Sequence, residues 1–269
     1  MWGGINSYDP MIAHERLYQC VSNFLSVCFD DLNYDYYGLV LILGGDMISG
    51  DIHDELRETN MGHTSEHVLA LFDALANNIK ILKKLFKNIY IPCTFGNHGR
   101  LTKEYRYKTA AATNMDWLLY NLLAKHFKED KDITFDIPTS FDVIYKIFDT
   151  TYLLTHGDRI GASGGGGILG SLPGILRGMK RIKSNNHSMK KYIDHIVMGH
   201  FHTYVVMEDG TINGSLKGPD EYSLGSRFDP EPPRQAMWLT DSKNGITLRM
   251  PIYVETSTPR PPTGDNDDK

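Results

Sequence analysis

The chain has 269 residues, 41% of them hydrophobic and 23% charged, which is an ordinary balance for a soluble globular protein with one sizeable core. Its formal net charge of −5 excludes a chain that is basic throughout and wraps nucleic acid over its whole surface, although a local basic patch is compatible with it. The longest uninterrupted apolar run, Leu39 to Leu43, is far too short to span a bilayer, so no membrane partner is expected. Cys20, Cys28 and Cys93 form no CxxC pair and read as reduced thiols. The opening residues carry neither the basic nor the apolar stretch of a secretion signal, and a cytoplasmic location is the expectation.

In chain order, Pro10 to Cys28 reads as an amphipathic helix, with Ile12, Leu17, Val21, Phe24 and Leu25 near helical spacing. Gly38 to Leu43 is a continuous apolar run stopped by Gly44 and Gly45, as in a buried strand that enters a tight loop. Thr64 to Phe86 is predicted helical, with Thr64 or Ser65 as its N-cap. Ile89 to Thr94 is a second buried strand, and Tyr107 to Phe127 a further helix. Val143 to Phe148 and Thr151 to Leu154 read as a hairpin. A glycine-rich loop, Gly161 to Gly170, precedes a basic helix from about Leu172 to Lys183. His195 to Met198 is a short strand, and from Tyr204 to about Val254 the chain is β-rich. Residues 1–255 are read as one domain. The tail, 256–269, rich in proline and acidic residues, is expected to be disordered.

This is βαβ alternation followed by a β-rich half. Each candidate chemical residue falls just after a strand, where ligand sites of open α/β sheets lie. Asp46, Asn97, His156, His200 and His202 offer one carboxylate, one amide oxygen and three imidazoles. Such a mixed oxygen and nitrogen set suits Mn, Fe or Zn better than Ca or Mg. Glycine precedes Asp46, Asn97 and His200, which lets the backbone turn sharply toward a common centre.

Taken in order, Gly45-Asp46, Gly96-Asn97-His98, Thr155-His156-Gly157 and Gly199-His200-Phe201-His202 resemble four of the five metal-site motifs of the calcineurin-like metallophosphoesterases. The match covers roughly residues 38 to 203. Gly44 to His53 and Asn213 to Gly218 further resemble phage-encoded members described as repair exonucleases, close to the double-strand-break repair nucleases; a phage protein would act in its host's cytoplasm. The resemblance implies a four-layer αββα sandwich and an enzyme that hydrolyses phosphoesters, with phosphodiesters of nucleic acid as the preferred substrate. It implies a two-metal site, most simply Mn2+, with Asp46 bridging, Asn97, His156 and His200 completing the second ion, and His202 on the first. His98 would be the catalytic acid, and a water between ions about 3.5–4 Å apart would attack phosphorus in line.

Two departures from the family pattern stand out. The first motif, Asp-x-His, is missing upstream of Met11, so the chain reads as truncated at its N-terminus and one ion's ligand set alone is complete. Arg100 stands near the position after Gly-Asn-His where the family carries an acid that orients the histidine; it is a candidate phosphate clamp instead. Asp51 and His53 could replace the missing ligands or belong to a solvated loop. Gly164 and Gly165 could cradle phosphate or form a lid. Arg177, with Lys180, Arg181, Lys183, Lys190 and Lys191, is either a solvated helix face or a nucleic-acid contact. His14, His63, His67, His126, His187 and His195 show no motif. A non-catalytic binding or regulatory remnant of the fold and a phosphomonoesterase are the competing readings, and the oligomeric state is left open.

Overall fold

A computed structural model describes residues 6–161, 172–225 and 230–254. Side-chain alternation along its strands sorts them into layers. A parallel sheet is built from β1 (Leu39–Val40), β2 (Ile89–Pro92) and β3 (Ile133–Asp136), in that order. Hydrogen bonds from Leu41 N to Tyr90 O and from Leu43 N to Pro92 O carry the pairing on to Leu43, as the apolar run predicts. A five-stranded sheet contains β4 (Asp142–Ile147), β5 (Thr150–Thr155), β6 (His195–Met198), β7 (Val205–Met207) and β8 (Gly210–Ile212), in the order β4-β5-β6-β8-β7.

Ile89 and Ile91 join one core with Leu75, Ile79 and Leu82 of α3 (Thr64–Lys83), Leu119 and Leu123 of α4 (Met115–His126), and Leu17 and Phe24 of α1 (Pro10–Ser26). Tyr90, between those isoleucines, points the other way, as period-2 alternation requires. With Val40 and Ile42 it meets Val143, Tyr145, Tyr152, Leu154 and Val197 of the second sheet. On that sheet Leu153, Ile196 and Met198 face outward to Ile175 and Met179 of α5 (Leu172–Ser188). The layers are therefore helices, sheet, sheet and helix, the expected four-layer sandwich. Aromatic rings fill the space between the sheets: Tyr90 to Tyr145 at 5.6 Å, Tyr145 to Tyr152 at 5.3 Å and Tyr152 to Trp238 at 6.1 Å between centroids. Trp238 lies on the hairpin β9 (Arg234–Asp241) and β10 (Gly245–Tyr253), whose Met237 and Ile252 join the helical-side core.

Local chemistry explains the helix starts. Asp9 caps α1 by accepting from Ile12 N at 2.8 Å, and Pro10 occupies the first turn, where its missing N–H costs nothing. The helix then loosens into a π turn, Val27–Leu32, that ends on Asn33 at φ 49°. Helix α3 is capped one residue earlier than predicted, at His63, whose N–H donates to Glu66. Helix α4 begins eight residues after the predicted start, because Asn114 accepts from Asp116 N and caps it there. Helix α5 runs past Lys183 to Ser188, and two short helices add to the predicted pattern: α2 (Asp54–Thr59) precedes α3, and α6 (Glu221–Gly225) interrupts the β-rich half. Among the described residues no helix is long and apolar enough to cross a membrane. The expected tail lies outside the described residues.

Candidate metal centre

The carboxyl ends of β1, β2, β5 and β6 converge, and the glycines beside them permit a close approach. Gly45 has φ +85°, and a Cβ there would strike Gly96 N; a Cβ at Gly96 would strike the Asp46 carboxylate. Asp46 itself sits at φ 51°, His200 at 67° and His202 at 55°, left-handed conformations that cost a non-glycine residue on the order of 1–3 kcal/mol. Backbone strain of this kind persists only where the surroundings enforce it. For Asp46 the enforcing group is Asp116, fully buried at the start of α4. It accepts from Asp46 N at 2.9 Å, Met47 N at 3.2 Å and Gly96 N at 2.9 Å. Asn114 adds a bond from Nδ2 to Gly96 O at 2.8 Å. One helix terminus thus holds both loops.

Ligand atoms of Asp46, His156 and His200 all lie within 4.8 Å of one another. Asp46 Oδ1 accepts from His98 N at 2.8 Å, and Oδ2 lies 3.0 Å from His156 Nε2. His156 Nδ1 is 2.9 Å from Gly44 O; a carbonyl only accepts, so Nδ1 carries the hydrogen and Nε2 presents a lone pair to the centre. That 3.0 Å contact has ion-pair distance but not hydrogen-bond direction, and the buried Nε2 has no directed partner. The direction is the better guide, since an imidazole nitrogen binds only along its lone pair. Asn97 lies between Gly96 and His98, both of which approach the Asp46 carboxylate, and its Oδ1 is likewise buried without a partner.

Electrostatics follow from this packing. Burial opposes the charge on His156, but the Asp46 carboxylate outweighs it and raises the imidazole to about 9. Burial likewise opposes charge on Asp46, yet the facing His156 holds it well below the usual carboxylate range. Burial, helped by the charge of His156, lowers His200 to about 4, so its ring is neutral at neutral pH. Burial and then the charge of Asp46 raise Asp116 to about 6.

A metal fits the residues present. Two orphaned buried atoms, one carboxylate and one neutral imidazole form a four-donor set of the mixed oxygen and nitrogen kind that divalent transition metals accept. Asp46 favours a second proton on the His156 imidazole; with Nδ1 bonded to Gly44 O that proton would sit on Nε2, and an ion bound there would displace it.

The remaining predicted residues are placed as follows. His98 Nδ1 lies 2.7 Å from Ser49 O, so a backbone carbonyl orients the ring where an acidic side chain was expected to. His202 is exposed and stands outside the group of three. Asp51 accepts from Thr64 Oγ1 at 2.7 Å, and His53 precedes α2; both serve the loop rather than the trio. Arg100 donates to the carbonyls of Asn97, Thr102 and Lys103 and covers the Tyr105 ring at 4.4 Å, so its guanidinium is engaged within its own loop. Arg177 is exposed on α5. Gly164 and Gly165 lie outside the described residues. A cavity of about 270 Å³ opens beside His98, lined also by Ile52, Arg57 and Lys103. Asn114 and Asp116 were missed in the sequence, although Asn-x-Asp before the apolar run Trp117 to Leu119 is a helix-start signal.

The chain is thus an α/β four-layer sandwich with one group of side chains, among its described residues, that could hold a metal ion where its two sheets end. No family model and no curated protein matches it. Among solved structures it is similar to a Vps29 single mutant from Entamoeba histolytica, at 12% identity and a TM-score of 0.33 over 80% of this chain and 99% of that one. It is also similar to Vacuolar Protein Sorting 29 from Cryptosporidium parvum, at 16% identity and a TM-score of 0.31 over 81% and 100%. The likeness is too distant to carry chemistry or partners across.

Proposed function

We propose that this chain is a calcineurin-like metallophosphoesterase that hydrolyses phosphodiesters, those of nucleic acid in particular, at the centre formed by Asp46, Asn97, His156 and His200. The supporting observation is the pair of buried, unpartnered atoms, Asn97 Oδ1 and His156 Nε2, on the two loops that meet Asp46. Buried polar atoms without partners are rare, and two of them on loops that both meet Asp46 favour a cation site over a packing accident. A divalent ion held there, Mn2+ or else Fe or Zn, supplies an acidic water as nucleophile and takes up charge on the phosphoryl oxygens. The chain's own residues do the rest. Gly44 O fixes the His156 tautomer, and Asp116 fixes the Asp46 and Gly96 loops. Ser49 O holds His98 Nδ1, which leaves Nε2 as the ring atom that delivers a proton to the leaving oxygen.

The test is metal content after dialysis, followed by rates on bis-p-nitrophenyl phosphate and p-nitrophenyl phosphate with Mn2+ added. Bound metal with faster turnover of the diester is expected; a faster monoester would move the substrate class to phosphomonoesters. A second reading, a metal-holding fold that binds without catalysis, draws on His202 lying outside the trio. Stoichiometric metal with neither ester hydrolysed would favour it, and no metal at all would sink both.

A further inference from the structure

Directly after Asn97 and His98 the chain makes a loop in which basic and aromatic residues interleave: Arg100, Lys103, Tyr105, Arg106, Tyr107 and Lys108, with Glu104 as its acid. The loop is closed at its base. Arg100 and Asn114 form an antiparallel bridge, and Leu101 N donates to Thr113 O at 2.9 Å, so its stem is pinned to the residue that caps α4. Its rings are not tucked into the core: Tyr105 is 48% exposed and Tyr107 80%. They rest on cations instead. Arg100 covers Tyr105 at 4.4 Å, and Arg159 lies 5.3 Å from the Tyr105 ring, 5.1 Å from Tyr107 and 3.6 Å from Phe141. Arg159 Nε is buried with no partner, its nearest carboxylate being Asp158 at 3.8 Å. Arg100, Tyr105, Arg106 and Arg159 line one cavity with Asn97.

We infer that this loop, with Arg159 and Phe141, is a stacking platform for single-stranded nucleic acid that presents a backbone phosphodiester to the metal centre. The inference rests on the phosphodiesterase reading and names its substrate. Exposed rings backed by cations suit a flat, electron-rich partner, and a base offers such a face only when its strand is unpaired. The basic groups interleaved with the rings, Arg106 and Lys108, match a phosphate at each nucleotide. The α5 surface is a weaker grip, since Lys183 is spent on Asp209 at 3.0 Å and on Asp194 O.

The experiment is fluorescence anisotropy of a labelled twelve-nucleotide oligothymidine with the full-length chain in EDTA, with a duplex of equal length for comparison. The single strand should bind more tightly than the duplex. Tyr105→Ala and Tyr107→Ala together should weaken it on the order of 10-fold per ring, and the double Phe variant should restore it, since stacking needs the ring and not the hydroxyl. Ultraviolet crosslinking of a bromouracil strand to the unaltered protein, mapped by peptide mass spectrometry, should mark Tyr105 or Tyr107 even if the double Ala variant fails to fold. Unchanged affinity in the Ala variants, duplex binding as tight as single-strand binding, or crosslinks confined to other segments would overturn the platform. Because the binding is read without metal, ring-dependent binding by a chain that hydrolyses no diester leaves the platform standing and removes the phosphodiesterase reading; hydrolysis with ring-independent binding does the reverse.

Discussion

Asp116 accepts the backbone N–H of Asp46 at 2.9 Å across 70 residues of sequence, and the same oxygen accepts from Gly96. One buried carboxylate therefore sets the distance between the loop that ends β1 and the loop that ends β2. Asp116→Asn would turn an amide N–H toward one of these donors and leave a buried group unsatisfied. A loss on the order of 1–3 kcal/mol in urea unfolding is expected, with weaker metal retention. Unchanged stability together with unchanged metal content would show that the loops hold themselves.

Metal stoichiometry is the second prediction. Asp46, His156 and His200 gather around one position, with the unpartnered Asn97 Oδ1 on the adjoining loop, while His202 stands apart, so one tightly held ion per chain is expected after dialysis, with any second ion lost. Asn97→Ala and His200→Ala should each lower retention. Two stoichiometric ions in the dialysed protein would contradict this and turn attention to Asp51 and His53.

For His98 the expectation separates binding from chemistry. Its ring is tied to Ser49 O and it belongs to no ligand group, so His98→Ala should keep the ion. The rate on a diester should fall on the order of 10²–10⁴-fold, the usual contribution of a general acid. Loss of the ion with the rate would make His98 a ligand.

The pH dependence of stability should reveal whether the centre is loaded. Without metal, the His156 proton is held up to about pH 9, above the 6.5 of a free imidazole. Its contribution is fully present below 6.5 and is lost as pH rises through 9, a decline on the order of 3 kcal/mol at most. Asp46, with its carboxyl held low, contributes at higher pH and loses that contribution only in strong acid. With an ion replacing the proton, the alkaline decline should vanish. Urea unfolding at pH 6, 7.5 and 9, in EDTA and in Mn2+, reads the difference directly; parallel curves would mean that no proton is displaced.

The strand runs were legible because buried strands here are unbroken apolar stretches stopped by glycine, as at Leu43 and Met198. The position of Asp46, Asn97, His156 and His200 after strands was legible for the same reason. The start of α4 was not, because Tyr107 to Thr113 contains nothing that forbids a helix, and the cap at Asn114 competes only once its amide has Gly96 to bind. Asp116 was invisible for a deeper reason: its partners are 70 and 20 residues away, and no local pattern encodes them. The orienting role expected of an acid near Arg100 passed to Ser49 O, and a backbone carbonyl leaves no trace in residue identity.

The left-handed backbone at His200 sets the interests of the fold and of the site against each other. Glycine would sit at φ 67° without strain but would bring no imidazole. Under selection for thermal persistence alone, glycine is the favoured replacement at His200, and it would erase the ligand. A histidine kept at such a backbone position is retained against the ease of the fold, so a shift to glycine among related chains would mark a loss of the proposed ion site.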